Sequence, residues 1–408
     1  MDRRDARPLP PSDATLTQAR NGLLLFALFT AALSLRPQLV GIGPLLPRIQ
    51  SDLAVSFAWS GLLATIPLLC MGVFAPLAPY VVRRMGTDRG LTIALLAIAS
   101  FGLWRAAAQS PAGLLLTTFL VGIGLALGGT LLPMVVKQSF PDRPASATGT
   151  YVAGIQLGAG GSAISAVPIA NFLGGWRVSL ALFSLVALGT IAVWLAARRG
   201  RKPASSTAIP PEGTWRVLRR LRVWMIAAAF GLQSMVFYGL MAWLPSYFIE
   251  VGWPDTLAGA LVAVLNTAGL LTSLTVPRLA DRLGSRRTYL IVGAGGAGFA
   301  ISGMLLFPAL GWIWAVIAGS ALALLFTMVL TLPLDVASDT HEAGVISAFV
   351  LGIGYTLAGI SPAALGAIRD ATVTFSASLL SLLPLLGLLI VLATWLSPQR
   401  LTLHTTAQ

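Results

Sequence analysis

The chain has 408 residues, of which 56% are hydrophobic and 10% charged, with a mean hydropathy of +0.83 and a net charge of +13. Soluble domains carry about 25% charged residues, so this composition excludes an ordinary soluble protein and indicates one that lies in a lipid bilayer. The length accommodates about twelve membrane-spanning helices of roughly 20 to 25 residues, which leaves no room for a large soluble domain.

The predicted elements begin with a polar tail, residues 1–20, which has no small-residue cleavage pattern and which we expect to be retained. Hydropathy then predicts an all-α membrane protein of two sets of spans joined by a basic, Ser/Pro-rich linker over 198–221, with a tail at 398–408. The first set forms a bundle over 21–197, with spans near 22–47, 57–82, 90–108, 112–136, 145–170 and 176–197. The second set forms a bundle over 222–397, with spans near 222–249, 255–280, 286–307, 311–335, 342–367 and 373–397.

The basic residues are distributed unevenly between the two predicted faces of the membrane. Of the 27 Lys and Arg, 22 fall on the face that carries both termini. The opposite face receives Arg48, Arg105, Arg177 and Arg369, while Arg36 lies within a span. Because cytoplasmic loops are enriched in Lys and Arg, we expect a multi-pass protein of a bacterial-type cytoplasmic membrane with both termini in the cytoplasm. The lipid bilayer therefore accounts for the charge, and we expect no nucleic-acid partner, since no aromatic residues alternate with the basic ones.

An internal repeat relates the two bundles at an offset of 198 residues. Leu46 and Pro47 match Leu244 and Pro245 in this register. Five further pairs keep the register, namely Gly61 with Gly259, Pro79 with Pro277, Arg84 with Arg282, Gly86 with Gly284 and Arg89 with Arg287. The sequence therefore predicts two parallel six-helix halves. In transporters with this architecture the substrate site lies at the interface between the halves.

No recognisable catalytic or metal-binding motif is present. The single cysteine, Cys70, lies within a predicted span, and the two histidines, His341 and His404, are far apart in the sequence. Neither a nucleophile elbow, nor a phosphate-binding loop, nor a zinc-protease motif is found. We therefore expect no cofactor, no bound metal and no enzymatic activity.

The segment PRLADRLGSRR at 277–287 lies between the second and third spans of the C-terminal half. It resembles the signature G-x-x-x-D-R-x-G-R-R of the major facilitator superfamily at Asp281, Arg282, Gly284, Arg286 and Arg287. The N-terminal copy at 79–89 has Arg83 where that signature carries an acid. The resemblance covers essentially the whole chain, and it implies the twelve-helix fold of that superfamily.

The same segment suggests a gate at the cytoplasmic face. Glycine permits a tight turn there, and an arginine holds a carboxylate bidentately when the cytoplasmic ends of the halves close. We expect Arg282 or Arg287 to pair with Asp335, Asp339 or Glu342 in one state of the transport cycle. The alternative is that these arginines only set the orientation of the chain and bind anionic lipid headgroups.

Arg36 is the principal candidate for solute binding. At about 1.5 Å per residue it lies roughly 21 Å along a span that starts at Gly22, past the centre of a hydrocarbon core about 30 Å thick. An ionised group there costs a few kcal/mol or more unless it faces water or a partner. One interpretation is that Arg36 extends toward the opposite membrane surface. Pro37 favours the other, because broken backbone at such depth is tolerated where it lines a cavity.

The stretch LRP at 35–37, followed by GPLLP at 43–47 and GLLATIPLLCMGVFAPLAP at 61–79, is similar to the cyanate/nitroimidazole transporter family (CynX/NimT) of that superfamily. The resemblance implies transport of a small polar or anionic solute, and it places Arg36 on the first-helix arginine of that family. It also implies that the first, fourth, seventh and tenth helices face the centre. Polar residues on those spans and on the flanking ones are Gln38, Thr65, Thr130, Tyr151, Gln156, Gln233, Tyr238, Asn266, Thr331 and Tyr355.

From these polar residues we select Gln38, Gln156, Gln233, Asn266 and Tyr355 as further solute-binding candidates. The alternative for each is an interhelical hydrogen bond, since amides and phenols in membrane helices commonly serve that purpose.

The combined interpretation is a monomeric secondary or facilitative transporter that works by alternating access. Its expected solute is a cyanate-like anion, a nitroimidazole-like heterocycle or a small carboxylate. A drug-efflux pump for apolar compounds is one alternative, and a polytopic sensor or membrane enzyme is another. No Asp or Glu lies at mid-depth in the predicted spans, so proton coupling would have to use a carboxylate at a membrane boundary. Uniport or exchange is the other option.

Overall fold

The computed structural model describes residues 13–140, 144–199, 214–283, 286–337 and 340–396. Within these ranges, twelve helical segments are long and apolar enough to cross a membrane. They are Asn21–Leu53, Phe57–Phe74, Tyr80–Ala107, Pro111–Val136, Ala147–Leu173, Trp176–Arg198, Leu221–Glu250, Asp255–Ser273, Arg287–Leu306, Pro308–Pro333, Glu342–Thr372 and Phe375–Trp395. The predicted all-α fold with twelve spans is confirmed. The boundaries of the two bundles stay a prediction, and the linker residues 200–213 lie outside the described ranges.

The first span is assembled from several short segments. It runs through α1 (Asp13–Leu35), α2 (Pro37–Val40), a 3₁₀ turn (Gly43–Leu45) and α3 (Leu46–Leu53). Prolines stand in the first turns of the three later segments, where their missing N–H removes helical hydrogen bonds to the preceding residues. The break predicted at Pro37 is therefore present. The span extends six residues beyond the predicted end at 47.

The other spans of the N-terminal half follow in chain order. They are α4 (Phe57–Phe74), α5 (Ala78–Ala107), α6 (Pro111–Ser139), α7 (Pro144–Leu173) and α8 (Trp176–Arg198), with a 3₁₀ turn at Ala75–Leu77. Helix α5 contains a sharp change of direction at Gly86, whose φ is 83° and ψ is 162°. Residues with a side chain rarely adopt this conformation, so a glycine is required here. The turn expected between the second and third spans thus centres on Gly86.

The C-terminal half repeats this plan. Its helices are α9 (Leu221–Glu250), α10 (Asp255–Leu283), α11 (Arg286–Leu306), α12 (Gly311–Val336), α13 (Thr340–Thr372), α14 (Phe375–Leu380) and α15 (Leu383–Trp395). Because the chain crosses twelve times, α1 begins and α15 ends on the same face. We call this the terminal face. The opposite face, which carries the turns near residues 54–56, 174–175, 251–254 and 373–374, is the distal face.

The halves pack together chiefly through α4 against α13 and α7 against α10. Small residues allow the first of these contacts. A Cβ atom on Gly61 would lie 2.5 Å from the carbonyl oxygen of Pro362, and one on Gly72 would lie 2.7 Å from the carbonyl oxygen of Gly352. In a bilayer, helices associate through such close packing because lipid provides no hydrophobic driving force between them. The α4–α13 contact therefore brings the backbones of the two halves close together.

Candidate functional site

Arg36 occupies the break between α1 and α2, and its side chain crosses to the other half. The Arg36 carbonyl oxygen accepts hydrogen bonds from the N–H groups of Leu39 at 3.0 Å and Val40 at 2.8 Å, so α2 starts at this point. The guanidinium Nη1 donates to the hydroxyl of Tyr238 on α9 at 3.1 Å. Arg36 is half-buried and Tyr238 is buried. The side chain therefore lies at the interface between the halves and does not extend toward the membrane surface.

Aromatic residues of the C-terminal half surround the guanidinium. Tyr355 on α13 also interacts with Arg36, and its ring centroid lies 6.2 Å from that of Tyr238. Phe230 packs edge-on against Tyr355 at 5.6 Å, and Phe237 packs edge-on against Tyr238 at 5.0 Å. Among the described residues, no carboxylate oxygen lies within 4.0 Å of the Arg36 guanidinium. Its side-chain partners among the described residues are the phenols of Tyr238 and Tyr355.

On the distal side of Arg36 the interface between the halves is nearly closed. A cavity of about 10 Å³, enough for one water molecule, lies between α2, α4 and α9. Its lining is mainly apolar and consists of Leu39, Val40, Ile42, Gly43, Ala64, Leu68, Tyr238, Met241 and Ala242. These lining residues come from both halves, so the described parts of the two halves are in close contact on the distal side of Arg36.

Polar contacts between the halves hold the distal face closed. Arg48 on α3 forms an ion pair with Asp255 at the start of α10. Asp370, at the end of α13, accepts hydrogen bonds from the backbone N–H groups of Phe57 at 3.0 Å and Ala58 at 2.8 Å. The guanidinium of Arg369 lies 4.5 Å from the centroid of the Phe57 ring. Each of these contacts must break if the distal ends of the halves separate.

Three of the other predicted solute ligands are engaged within one half. Gln38 is fully buried and donates to the Ser184 hydroxyl at 2.8 Å. Gln233 donates to the carbonyl oxygen of Leu322 at 3.2 Å, and Asn266 donates to that of Val262 at 2.8 Å. The Gln38 and Gln233 amides thus make interhelical hydrogen bonds, which is the alternative raised for them, while the Asn266 amide bonds within α10 and also reaches the Met241 sulfur on α9 at 3.3 Å. The structure does not bring them to Arg36.

Of the two remaining candidates, one lies at Arg36 and the other has no hydrogen bond. Tyr355 contacts the guanidinium as described above. Gln156 on α7 is half-buried and makes no hydrogen bond to the described residues. Its role as a solute ligand stays a prediction.

Arg105 was assigned from the sequence to the distal face, but its side chain is directed into the bundle. It lies in the last turn of α5 and is fully buried. Its Nη2 donates to the carbonyl oxygen of Gln38 at 3.2 Å and to the side-chain Oε1 of Gln38. Its Nε and Nη1 make no hydrogen bond to the described residues. Arg105 therefore fixes α2 at Gln38, which lies two residues after Arg36.

The predicted gate at the terminal face is only partly described. Glu342 is buried and forms an ion pair at 2.7 Å with Arg220, which precedes α9. Arg287 is exposed at the start of α11. Gly284 and Asp339, and the side chains of Asp281, Arg282 and Asp335, lie outside the described part of the chain. Pairing of Arg282 or Arg287 with these acids stays a prediction.

Tyr238 is the site residue that the sequence-based selection missed. The repeat register points from Arg36 to Ser234, whereas the contact is made one helical turn later by Tyr238. Ser234 and Tyr238 lie four residues apart on the same face of α9, so the repeat register indicates the face of the helix but not the residue that makes the contact. Tyr238 could have been selected from the sequence, because it lies on a span that we expected to face the centre.

Twelve spans in two parallel halves are typical of a polytopic membrane transporter, and so is a guanidinium at their interface that has no carboxylate within 4.0 Å among the described residues. Residues 23–363 match the model of the Major Facilitator Superfamily, and the chain belongs to this superfamily. It is a multi-pass protein of the inner membrane that moves a small-molecule solute, and it is not an enzyme.

Two relatives from Escherichia coli (strain K12) resemble the chain over most of their length. The chain is 32% identical to a 2-nitroimidazole transporter over 388 residues, which covers 93% of this chain and 95% of the relative. It is 30% identical to the cyanate transport protein CynX over 351 residues, which covers 85% of this chain and 90% of the relative. The resemblance to the cyanate/nitroimidazole transporter family is thereby confirmed.

The fold is also similar to that of a solved structure. A bacterial homologue of the human lysosomal transporter Spinster, in an inward-facing and unoccupied conformation, superposes with a TM-score of 0.72 at 17% sequence identity. The superposition covers 94% of this chain and 96% of that one. At this level of identity the comparison supports the fold.

Proposed function

We propose that the protein carries a compact anion or a small nitroheterocycle across the membrane by alternating access, with Arg36 as the main solute-binding residue. The observation that carries this proposal is the environment of the guanidinium. Arg36 projects from the N-terminal half onto two phenols of the C-terminal half, and no carboxylate of the described residues lies within 4.0 Å of it.

A cation in such a place favours a ligand that supplies the missing counter-charge. Burial of an ionised group costs several kcal/mol unless a partner compensates it, and a neutral phenol compensates only in part. A guanidinium has five N–H donors in a planar fork, whereas Tyr238 and Tyr355 each accept at a single oxygen. Paired oxygens of a carboxylate or nitro group, or a linear anion such as cyanate, match the remaining donors. The names of the two relatives agree with this chemistry.

The position between the halves suggests how binding is coupled to movement. Arg36 moves with the N-terminal half, and Tyr238 and Tyr355 move with the C-terminal half. A solute that bridges them stabilises the closed interface, from which either face can open. On the basis of the distribution of Lys and Arg, we propose that the terminal face is cytoplasmic and the distal face external.

The same cycle gives the predicted gate a role. When the distal face opens, the terminal face must close, and we propose that Arg282 or Arg287 then pairs with Asp335 or Glu342. This pairing would occur in a conformation other than the present one, in which Glu342 contacts Arg220.

The test uses purified protein reconstituted in liposomes, with cyanate and 2-nitroimidazole as probes. Arg36→Ala is expected to weaken binding by about 10-fold to 150-fold, because a hydrogen bond to a charged group contributes about 1.5 to 3 kcal/mol. Tyr238→Phe and Tyr355→Phe should have smaller effects, since they leave the cation in place. Arg177→Ala is the matched control, because Arg177 pairs with Asp52 within one half at the distal face.

The outcomes separate this function from the alternatives. Normal uptake of both probes by Arg36→Ala would overturn the proposal. Export of hydrophobic dyes that is insensitive to Arg36→Ala would indicate a drug-efflux pump. Absence of counterflow for every solute in folded protein would indicate a sensor.

A further inference from the structure

A second cavity lies at the distal face, between the same two halves. It has a volume of about 210 Å³ and opens toward the distal surface. We call it the distal cavity. Its polar and aromatic lining comprises Gln50 and Phe57 of the N-terminal half and Ser246, Glu250, Arg369 and Phe375 of the C-terminal half.

The distal cavity is aligned with Arg36 along one face of α9. Tyr238, Ala242 and Ser246 follow one another at intervals of four residues, which places them on the same side of a helix. Tyr238 and Ala242 line the small closed cavity next to Arg36, and Ser246 lines the distal cavity. Eight residues of helix separate Tyr238 from Ser246, or about 12 Å. The distal cavity therefore lies at the outer end of the route that leads to Arg36.

The charges in the distal cavity differ from those at Arg36. Arg369 has a carboxylate partner, since its Nε lies 3.4 Å from Oε2 of Glu250. Glu250 is held in place by Thr374 and by the backbone N–H of Phe375, which donate to its Oε1 at 2.9 and 3.0 Å. The guanidinium of Arg369 also lies over the rings of Phe57 and Phe375, at 4.5 and 5.5 Å from their centroids. A neutralised cation offers no net attraction to a bare anion.

The remaining groups suit a planar, uncharged ligand. Phe57 and Phe375 stand perpendicular to each other at 5.2 Å and provide aromatic surface. Ser246 is 4% exposed, and its hydroxyl has no hydrogen-bond partner among the described residues. The side-chain amide of half-buried Gln50 likewise makes no hydrogen bond within the described part of the chain. Buried polar groups usually have partners, so a hydroxyl left without one indicates a missing ligand or water.

We propose that the distal cavity is a second, weaker binding site for planar heterocycles that carry both a hydrogen-bond donor and an acceptor, and that simple inorganic anions such as cyanate pass through it without binding. The ring packs against Phe57 and Phe375, while Ser246, Gln50 and the Arg369–Glu250 pair bond its edge. This inference rests on the proposed function, because the cavity is assigned to the route that serves Arg36. It concentrates the heterocycle, but not the anion, at the outer end of the route to Arg36.

The test measures how far a ligand protects a cysteine in the distal cavity from chemical labelling. In a Cys70→Ser background, Ile249→Cys places a reactive thiol in the cavity lining, and a membrane-impermeant maleimide labels it from the distal side. With 2-nitroimidazole at roughly ten times its dissociation constant, labelling should slow by about a factor of ten. Cyanate should leave the rate unchanged. The protection should persist when Arg36→Ala is added, because the site is independent of Arg36.

A variant that gains cyanate binding distinguishes a binding site from a purely structural role of the Arg369–Glu250 pair. Glu250→Gln keeps the shape of the side chain but leaves Arg369 without its counter-charge, so cyanate should now protect Ile249→Cys by several-fold. Size-exclusion profiles identify variants that do not fold. Loss of protection by 2-nitroimidazole in Arg36→Ala, or no gain of cyanate protection in folded Glu250→Gln, would overturn the distal site. Transport that does not depend on Arg36 would instead overturn the proposed function and leave the distal protection standing.

Discussion

Asp370 provides a direct test of how the distal face is held closed. Its carboxylate comes from the C-terminal half and accepts two backbone N–H bonds at the start of α4 in the N-terminal half. The third N–H of this helix, that of Trp59, is bonded by the Ser56 hydroxyl at 3.1 Å. The first residues of a helix have no partners for these groups within the helix, so Asp370 acts as a cap supplied by the other half. Asp370→Ala removes this link between the halves.

The size of the effect follows from the values known for helix caps. Replacing a capping side chain by Ala costs about 0.5 to 2 kcal/mol, and Asp370 is exposed, so water substitutes for part of the loss. A cost of about 1 kcal/mol to the closed state raises the population open at the distal face by about fivefold. Asp370→Asn should have a smaller effect, because Asn caps helices about as well as Asp.

Labelling of a cysteine at Ala64 measures this population. Ala64 is 6% exposed and lines the small closed cavity beside Arg36. In a Cys70→Ser background, Ala64→Cys should react with a membrane-impermeant maleimide only when the distal face opens. Asp370→Ala should accelerate this labelling by about fivefold.

The control for charge loss is Asp52→Ala. Asp52 accepts hydrogen bonds from Arg177 at 2.6 Å and from Trp176 at 3.2 Å, all within the N-terminal half. Its removal should leave the labelling rate unchanged. An equal acceleration by both substitutions, or none by Asp370→Ala, would refute the assignment of Asp370 to closure.

Two further predictions concern residues away from the distal face. Gly86→Ala should lower stability in detergent by about 1 to 3 kcal/mol, because the conformation at Gly86 is one that side chains rarely adopt. Thermal unfolding measures the loss, and Gly387→Ala, in open space on α15, should be neutral or stabilising. Arg105→Met should raise KM by about tenfold with little change in kcat, because it releases Gln38 and with it the position of Arg36. An unchanged KM in folded protein would show that Arg105 only supports packing.

Much of the fold was predictable because the bilayer restricts what a chain can do. Spans must be helical, apolar and about 20 residues long, so hydropathy locates them in the sequence. Gly86, the repeat equivalent of Gly284, also lies at the turn between the second and third spans, as a glycine in that loop predicts. The first span was predicted less well, since its end depends on how Pro44 and Pro47 start new helical segments.

Of the residues selected from the sequence, Arg36 and Tyr355 meet at the interface between the halves, whereas Gln38, Gln233 and Asn266 do not. Depth along the span singled out Arg36, but depth does not say which side of a helix a residue faces. Residues two apart on a helix point in nearly opposite directions, so Gln38 faces the interior of its own half once Arg36 faces the interface. The same rule separates Gln233 from Tyr238, five residues later on α9. Helical phase relative to Ser234, the repeat equivalent of Arg36 on α9, would have ranked Tyr238 above Gln233.

The neutral surroundings of Arg36 also bear on how the carrier works. A carboxylate partner would compensate the guanidinium permanently, and a solute would then have to break an ion pair worth several kcal/mol before it could bind. A phenol hydroxyl holds the guanidinium by a hydrogen bond whose net contribution is nearer 1 kcal/mol, so an anion displaces it readily. In the proposed cycle the cation is fully compensated only while solute is bound. Because Tyr238 and Tyr355 lie on the opposing half, this compensation coincides with closure of the interface, and the proposed solute adds one more link to the direct contacts between the two halves.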